Sequence, residues 1–205
     1  MKTRSLLLAL ALMSLVACSS QPSTPAQKPA PKPTETSSGR EVMQRLYVQA
    51  RGWAPDAKPV RLESIVTSDA SGQNGHAAVW RGYFASVSRR AMKPYVWSGS
   101  TAEGAPERGL TPGVEDTWTA TNTSTQAWDL GFLKVDSDKA YRVAQEHGGE
   151  KLTQAGPAQP VQYVLDWNPR ESNLIWHVIY GTNVNDAKLR VAVNASDGKF
   201  IRVEK

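Results

Sequence analysis

The sequence has a single cysteine, Cys18, among its 205 residues. One cysteine cannot form an intramolecular disulfide, and it excludes catalytic or metal sites that need several cysteines. The hydrophobic core must then stabilise the fold without covalent crosslinks. The seven Trp, six Tyr and three Phe make such a core feasible at this chain length.

The N-terminus lacks an apolar run long enough to cross a membrane. The run from Leu6 to Val16 follows a basic start at Lys2 and Arg4, and it falls well short of the about 20 residues that a spanning helix needs. This pattern is typical of a secretory signal peptide. The closing residues Leu15-Val16-Ala17-Cys18 resemble a bacterial lipobox, which implies cleavage before Cys18 and lipidation of that cysteine. The alternative is an ordinary signal peptide cut nearby, which leaves a free thiol.

Motifs of known catalytic chemistry are also missing. The sequence contains no Gly-x-Ser-x-Gly, no His-Glu-x-x-His and no phosphate-binding loop. Its three histidines, His76, His147 and His177, have spacings that match no local metal motif. We therefore expect no enzyme activity, no catalytic residue, no metal site and no cofactor.

Positive charge is scattered along the chain. The formal net charge is +5, and the one basic cluster is Arg89-Arg90 with Lys93. Nucleic-acid binding favours a basic stripe, so we expect no nucleic-acid partner.

Residues 18–39 are predicted to form a tether. After Cys18 the segment is rich in Pro, Ser and Thr and has no apolar periodicity, so it cannot bury enough surface to order itself. Its prolines favour an extended polyproline II conformation. Residues 1–17 would be the signal peptide, and the lipid on Cys18 would attach the protein permanently to a membrane.

From Arg40 onward the chain contains two similar halves, predicted at 40–130 and 131–205. Each begins with an amphipathic helix, the first carrying Val42, Leu46, Ala50 and Trp53, the second starting at an Asp136-Ser137 N-cap and ending at Gly148-Gly149. The predicted strands that follow are 59–66, 78–86 and 93–98 in the first half and 160–167, 174–182, 189–194 and 199–203 in the second. Trp80 and Trp176 occupy matching positions. Chance alignment of aromatic strands is the alternative to duplication.

The segment 99–130 separates the last strand of the first half from the second half. It is rich in Gly, Thr, Ser and Pro, and loops of this length are often functional. Short strands that lack clear periodicity are the alternative, which we favour for 114–121.

The second half resembles a PepSY-type domain. The resemblance rests on Leu174-Ile175-Trp176-His177-Val178 and on the hairpin sequence Val191-Ala192-Val193-Asn194-Ala195-Ser196-Asp197-Gly198-Lys199, where Asn194 replaces the usual aspartate. It implies an α+β fold of two cystatin-like halves, each with one helix packed on an antiparallel sheet of three to four strands. Proteins with this domain have been proposed to bind or inhibit envelope peptidases, and no catalytic residue accompanies the family.

Four tryptophans are candidates for a binding surface, namely Trp97, Trp118, Trp128 and Trp167. They lie at predicted strand ends or in loops, and exposed tryptophan is frequent at binding sites. Partial burial under a loop is the alternative for each ring.

These patterns predict a lipid-anchored, non-catalytic binding module of the bacterial cell envelope. Its membrane contact would be the lipid anchor, with the domain facing the periplasm from the outer membrane. The partner would be an envelope protein such as a peptidase. The alternative is a lipoprotein that binds a small ligand or a glycan such as peptidoglycan, using a groove between two sheets.

Overall fold

The computed structural model describes residues 32–154, 159–183 and 185–204. Cys18, the signal peptide and the start of the predicted tether lie outside these residues. The described residues belong to one compact unit, and none of its helices is long and apolar enough to cross a membrane.

The fold is α+β, with few helices packed against a large antiparallel sheet. The first half contains β1 (Ser37–Ser38), α1 (Gly39–Trp53), β2 (Lys58–Ile65), β3 (His76–Ala77), β4 (Val79–Ser86), β5 (Ala91–Ser98), β6 (Gly109–Pro112) and β7 (Asp116–Thr117). The second contains α2 (Ser137–Ala144), α3 (Glu150–Gln154), β8 (Val161–Asn168), β9 (Asn173–Tyr180), β10 (Leu189–Asn194) and β11 (Phe200–Glu204). The main strands lie within two residues of their predicted bounds.

Nine of the eleven described strands, drawn from both halves, form one sheet, while β1 and β3 pair separately. Its order is β11-β10-β9-β8-β2-β4-β5-β6, and β7 pairs with β5. The halves join where β2 pairs antiparallel with β8, with Leu62 opposite Leu165. From this central pair the strands follow in chain order in both directions, as β2-β4-β5-β6 on one side and as β8-β9-β10-β11 on the other. The expectation of a groove between two sheets is wrong, because main-chain pairing makes the two sheets continuous.

Both main helices pack on the same face of this sheet. Val42, Leu46 and Ala50 of α1 are buried there as their spacing predicts, and Ala140 and Ala144 of α2 join the same core. Strand residues alternate between the two faces, so every second strand residue adds to this core.

The second helix does not end at Gly148-Gly149 as the sequence predicts. The regular helix α2 stops at Ala144, a π-type turn follows over Gln145–Gly149, and α3 then adds one more helical segment. Gly148 has φ +114°, a backbone conformation that glycine tolerates. His147 and Gly148 both have non-helical backbone angles, so the helix is interrupted there and α3 begins as a new helix at Glu150.

The final residues of the predicted tether are part of the fold. Ser37 and Ser38 are buried and pair with β3. Trp80 Nε1 donates to the Ser37 carbonyl at 3.0 Å, and Ser38 is the N-cap of α1. Polar contacts to the main chain and to side chains order this segment, although it has no apolar periodicity.

Candidate functional site

The helix-free face of the second half carries a network of charged side chains around His177. In β9, Trp176 points into the core and His177 to the opposite face, as alternation requires. His177 lies between Val164 of β8 and Ala192 of β10. These small and aliphatic neighbours leave room for longer side chains to reach the imidazole.

Both ring nitrogens of His177 contact carboxylates. Nδ1 is 2.8 Å from Glu204 Oε2, and Nε2 is 3.2 Å from Asp166 Oδ1. Arg61 donates to the second oxygen of Asp166 at 3.0 Å, and Arg190 donates to Glu204 at 3.2 Å. The network thereby connects β2 in the first half to β11 at the edge of the sheet.

The network holds His177 in its charged form. Burial by itself would lower the pKa of His177, but hydrogen bonds to Asp166 and Glu204 and their negative charges outweigh it and raise the pKa to about 9. Burial would likewise raise the pKa of Glu204. The hydrogen bond to His177 and the charges of His177, Arg190 and Arg202 lower it instead.

Both ring nitrogens of His177 are engaged in this arrangement. A charged imidazole donates from both nitrogens and has no lone pair to offer. Among the described residues, no three His, Cys, Asp or Glu side chains converge so as to hold a metal ion. A shallow cleft of about 310 Å³ lies beside the network and is lined by Arg61, Val164, Asp166, His177, Ile179 and Arg190. The network therefore holds the side chains of His177, Arg190 and Glu204 in place beside β11, the strand that carries Glu204.

That strand, β11, forms one edge of the sheet. It pairs with β10 on one side, and no described strand pairs with its other side. Phe200 is 38% exposed and Val203 is 48% exposed. Both lie on the helix side of the sheet, opposite Val193 and Val191 of β10. An unpaired edge with exposed apolar side chains can pair with another chain.

The side chains of β11 differ between its two faces. On the helix side, the exposed His147 ring stacks on Phe200 with centroids 3.7 Å apart. On the helix-free side, Glu204 joins the network, and Arg202 donates to Glu171 at 2.6 Å. A strand added beside β11 would therefore meet apolar groups on one face and fixed charges on the other.

The opposite edge of the sheet is better protected. Its strand β6 spans only Gly109–Pro112, and its last residue is a proline, which donates no main-chain hydrogen bond. Short strands and prolines are common means of blocking edge pairing. Of the two edges, β11 is therefore the more suitable for strand addition.

The N-terminal residues that the structure describes are held near the β5 end of the sheet. Thr34 donates to Asp69 at 2.6 Å, and the Glu35 amide donates to the Gly99 carbonyl at 2.9 Å. Gly99 directly follows β5, which lies six strand spacings from β11 in the sheet order. At about 4.8 Å per spacing, Gly99 and the N-terminal residues bound to it lie about 29 Å from β11.

The four candidate tryptophans do not form a common exposed surface. Trp97 and Trp128 are buried in the main core, and Trp128 Nε1 donates to the Val60 carbonyl at 2.9 Å. Trp118 is buried against Val60 on the helix-free face. Trp167 is half-buried, with Phe132 5.1 Å away between ring centroids. The alternative weighed from sequence was partial burial under a loop for each ring. Trp118 and Trp128 belong to the 99–130 segment itself and are buried against the sheet, Trp118 with its Nε1 donating to the Thr125 carbonyl at 2.9 Å.

Sequence reasoning did not identify the network or the open edge. His177 and Glu204 lie 27 positions apart, and no local motif connects them. Alternation places His177 on the helix-free face, but only the strand order brings Glu204 to it. The predicted hairpin at Asp197-Gly198 was the one signal for a terminal strand at this position.

Comparisons with known proteins show a shared fold. No protein-family model and no curated protein matches the chain. The crystal structure of a "putative lipoprotein" from Clostridium difficile 630 resembles it with a TM-score of 0.50. The two sequences are 11% identical, and the match covers 80% of this chain and 91% of that one. The PepSY-type resemblance therefore depends on the sequence motifs and the order of elements.

Proposed function

We propose that the protein is a lipid-anchored, non-catalytic binding module of the bacterial cell envelope. It would bind an extended segment of a protein partner along edge strand β11. The observation that carries this proposal is the open edge itself, with its exposed Phe200 and Val203. Strand addition supplies affinity through main-chain hydrogen bonds and specificity through alternate side chains.

Two features support the anchor. The sequence that ends at Cys18 resembles a lipobox, and the structural neighbour from Clostridium difficile is itself described as a "putative lipoprotein". Ser19, in place of aspartate after the cysteine, favours the outer membrane under enterobacterial-type sorting. The tether would join the domain about 29 Å from β11, so attachment would leave that edge accessible.

The two faces of β11 define the partner segment. Its residues should alternate, with apolar side chains beside Phe200 and Val203 and polar ones beside Arg202 and Glu204. The PepSY-type resemblance points to an envelope peptidase as the partner. Such a peptidase would be bound, and its activity regulated, without any catalytic group on this chain.

We also infer that the two halves derive from one PepSY-type unit. Trp80 Nε1 donates to the Ser37 carbonyl, and Trp176 Nε1 donates to the Val135 carbonyl at 2.9 Å. Each acceptor lies two residues before the first residue of its helix. The repeated order of strands and this repeated hydrogen bond support duplication. Superposition of the two halves tests it, since equivalent strands should overlay in register.

The partner proposal can be tested by photocrosslinking in the native host. A photoreactive residue at position 203 should give one discrete crosslinked species with the full-length lipoprotein. The same residue at Val48, 68% exposed on α1, or at Val114, 87% exposed in the 99–130 segment, provides matched controls. The proposal fails if position 203 gives no adduct or the same species as Val48.

Proline substitution then tests main-chain pairing. Successive residues of a strand direct their N–H groups to opposite sides, so one of Arg202→Pro and Val203→Pro removes an outward N–H. The variant that keeps its thermal stability should lose the crosslinked species when the photoreactive residue is at Phe200. Retention of the species by both variants would exclude strand addition.

A further inference from the structure

A cleft on the helix side of the molecule lies outside the proposed partner surface. It has a volume of about 410 Å³ and is lined by Arg40, Gln44, Leu130, Gly131, Leu133 and Lys134. Arg40 and Gln44 are one turn apart on α1, and the other residues come from the segment that leads into α2. The size is within the range of small-molecule sites.

The charged groups of this cleft have one sign. Arg40 and Lys134 are both exposed, and neither lies within ion-pair distance of a carboxylate among the residues that the structure describes. The neighbouring carboxylates bond to groups other than the Arg40 and Lys134 side chains. Asp129 pairs with Lys58 at 3.6 Å, while Asp136 accepts from Ser38 at 2.6 Å and from the Arg40 amide at 2.9 Å.

Helix stability does not explain the charge at position 40. Arg40 lies in the first turn of α1, where the helix dipole disfavours a cation and favours an anion. Its charge therefore has a cost to the helix that an anionic ligand in the cleft would offset.

The remaining lining is apolar or neutral. Leu133 is 5% exposed and belongs to the core, and Leu130 packs partly against the same core. Ligand sites combine apolar walls with a few polar groups that orient the ligand. Here the polar groups would be the two cations and the Gln44 amide.

We propose that this cleft binds a small apolar carboxylate, such as a medium-chain fatty acid. Arg40 and Lys134 would bind the carboxylate, and Leu130 and Leu133 would contact the alkyl chain. Charge complementarity selects an anion, and the leucines distinguish an amphiphile from a simple ion. This site is separate from β11 and does not depend on partner binding there.

Calorimetric titration with three probes tests the proposal. The protein would be the secreted chain with Cys18→Ser, which carries no acyl groups that could compete. Decanoate should bind at concentrations below micelle formation. Acetate has the same head group and decyltrimethylammonium has the same chain with the opposite charge, so each should bind at least ten-fold more weakly.

Variants locate the site within the molecule. Arg40→Gln and Lys134→Gln should each weaken decanoate binding about ten-fold, as expected for loss of a charge-assisted hydrogen bond. Arg51→Gln, on the exposed side of the same helix, should leave binding unchanged. Equal binding of acetate, or no effect of either cleft variant, would overturn the proposal.

A steric pair adds a test that leaves the charges intact. A Cβ at Gly131 would meet no atom closer than Asp129 Oδ1 at 3.9 Å, so Gly131→Ala and Gly131→Leu should both fold. Gly131→Leu should occupy part of the cleft and reduce decanoate affinity about ten-fold or more, while Gly131→Ala should retain it. Equal affinity of the two variants would place the ligand elsewhere.

Discussion

The rings of Trp80 and Trp176 meet edge to face in the core, with centroids 6.4 Å apart and 71° between their planes. Both side chains are fully buried, and each indole donates to the main chain just before a helix. The rings thus pack the two halves against each other beneath the start of α1. Stability of either half should depend on this contact.

Gly39 is the residue that this contact constrains most closely. A Cβ there would lie 2.5 Å from Trp176 and 3.0 Å from Trp80, so Gly39→Ala should destabilise the fold by about 1–3 kcal/mol through overpacking. Gly52→Ala, near the other end of α1 with no atom within 4 Å of the new Cβ, should instead stabilise it by up to about 1 kcal/mol. Chemical denaturation of both variants measures the difference. Equal effects would show that the tryptophan pair can move apart freely.

Asp136 is the N-cap of α2 and also accepts from a first-turn amide of α1, at the point where the two N-termini meet. It accepts from the Ser137 amide at 2.7 Å and from the Arg40 amide at 2.9 Å. Asp136→Ala should cost about 2 kcal/mol, since loss of one cap typically costs about 1 kcal/mol. Asp138→Ala, which removes a 2.9 Å exposed pair with Arg142, should cost only about 0.3–0.5 kcal/mol. A similar loss for the two variants would argue against double capping.

The charged His177 network makes stability depend on pH. The folded-state pKa of His177 is raised to about 9, above the unfolded value of about 6.5. Its stabilising contribution is therefore complete below about pH 6.5 and is lost as the pH rises through about 9, a decrease of about 3 kcal/mol. Denaturation curves across this range measure it.

Two histidine variants test whether His177 causes this loss of stability at high pH. His177→Gln should abolish the decrease between pH 6.5 and 9, and His76→Gln, an exposed histidine outside the network, should retain it. A wild-type free energy of unfolding that stays constant over this range would contradict the charged assignment of His177.

Cys18→Ser tests the anchor. Without the thiol, no acyl chain can be attached at that position, so the variant should move from the membrane fraction to the soluble envelope fraction. Ser20→Ala, two residues further along, should remain in the membrane fraction. A wild-type protein already in the soluble fraction would favour the alternative of an ordinary signal peptide, and membrane retention of Cys18→Ser would show that another feature attaches the protein.

The sequence by itself determined the local elements. Period-2 and period-3.6 patterns located the long strands and the start of each helix. Residues buried on one face of a strand or helix recur along the sequence with the period of that element. The sequence also predicted the N-cap at Asp136-Ser137, since a short polar side chain at a helix start accepts from nearby main-chain amides. The sequence did not predict that a further helix, α3, follows Gly148, because a glycine with positive φ is found both at helix ends and at breaks between two helices.

Only the tertiary structure decided how those elements combine. The pairing of Leu62 with Leu165 joins residues 103 positions apart, and it makes one sheet where two were expected. The same strand order buries Trp97, Trp118 and Trp128, brings Glu204 to His177 and leaves β11 as an edge. Long-range main-chain pairing sets these relationships, and spacing within one segment carries no information about which distant segment will pair with it.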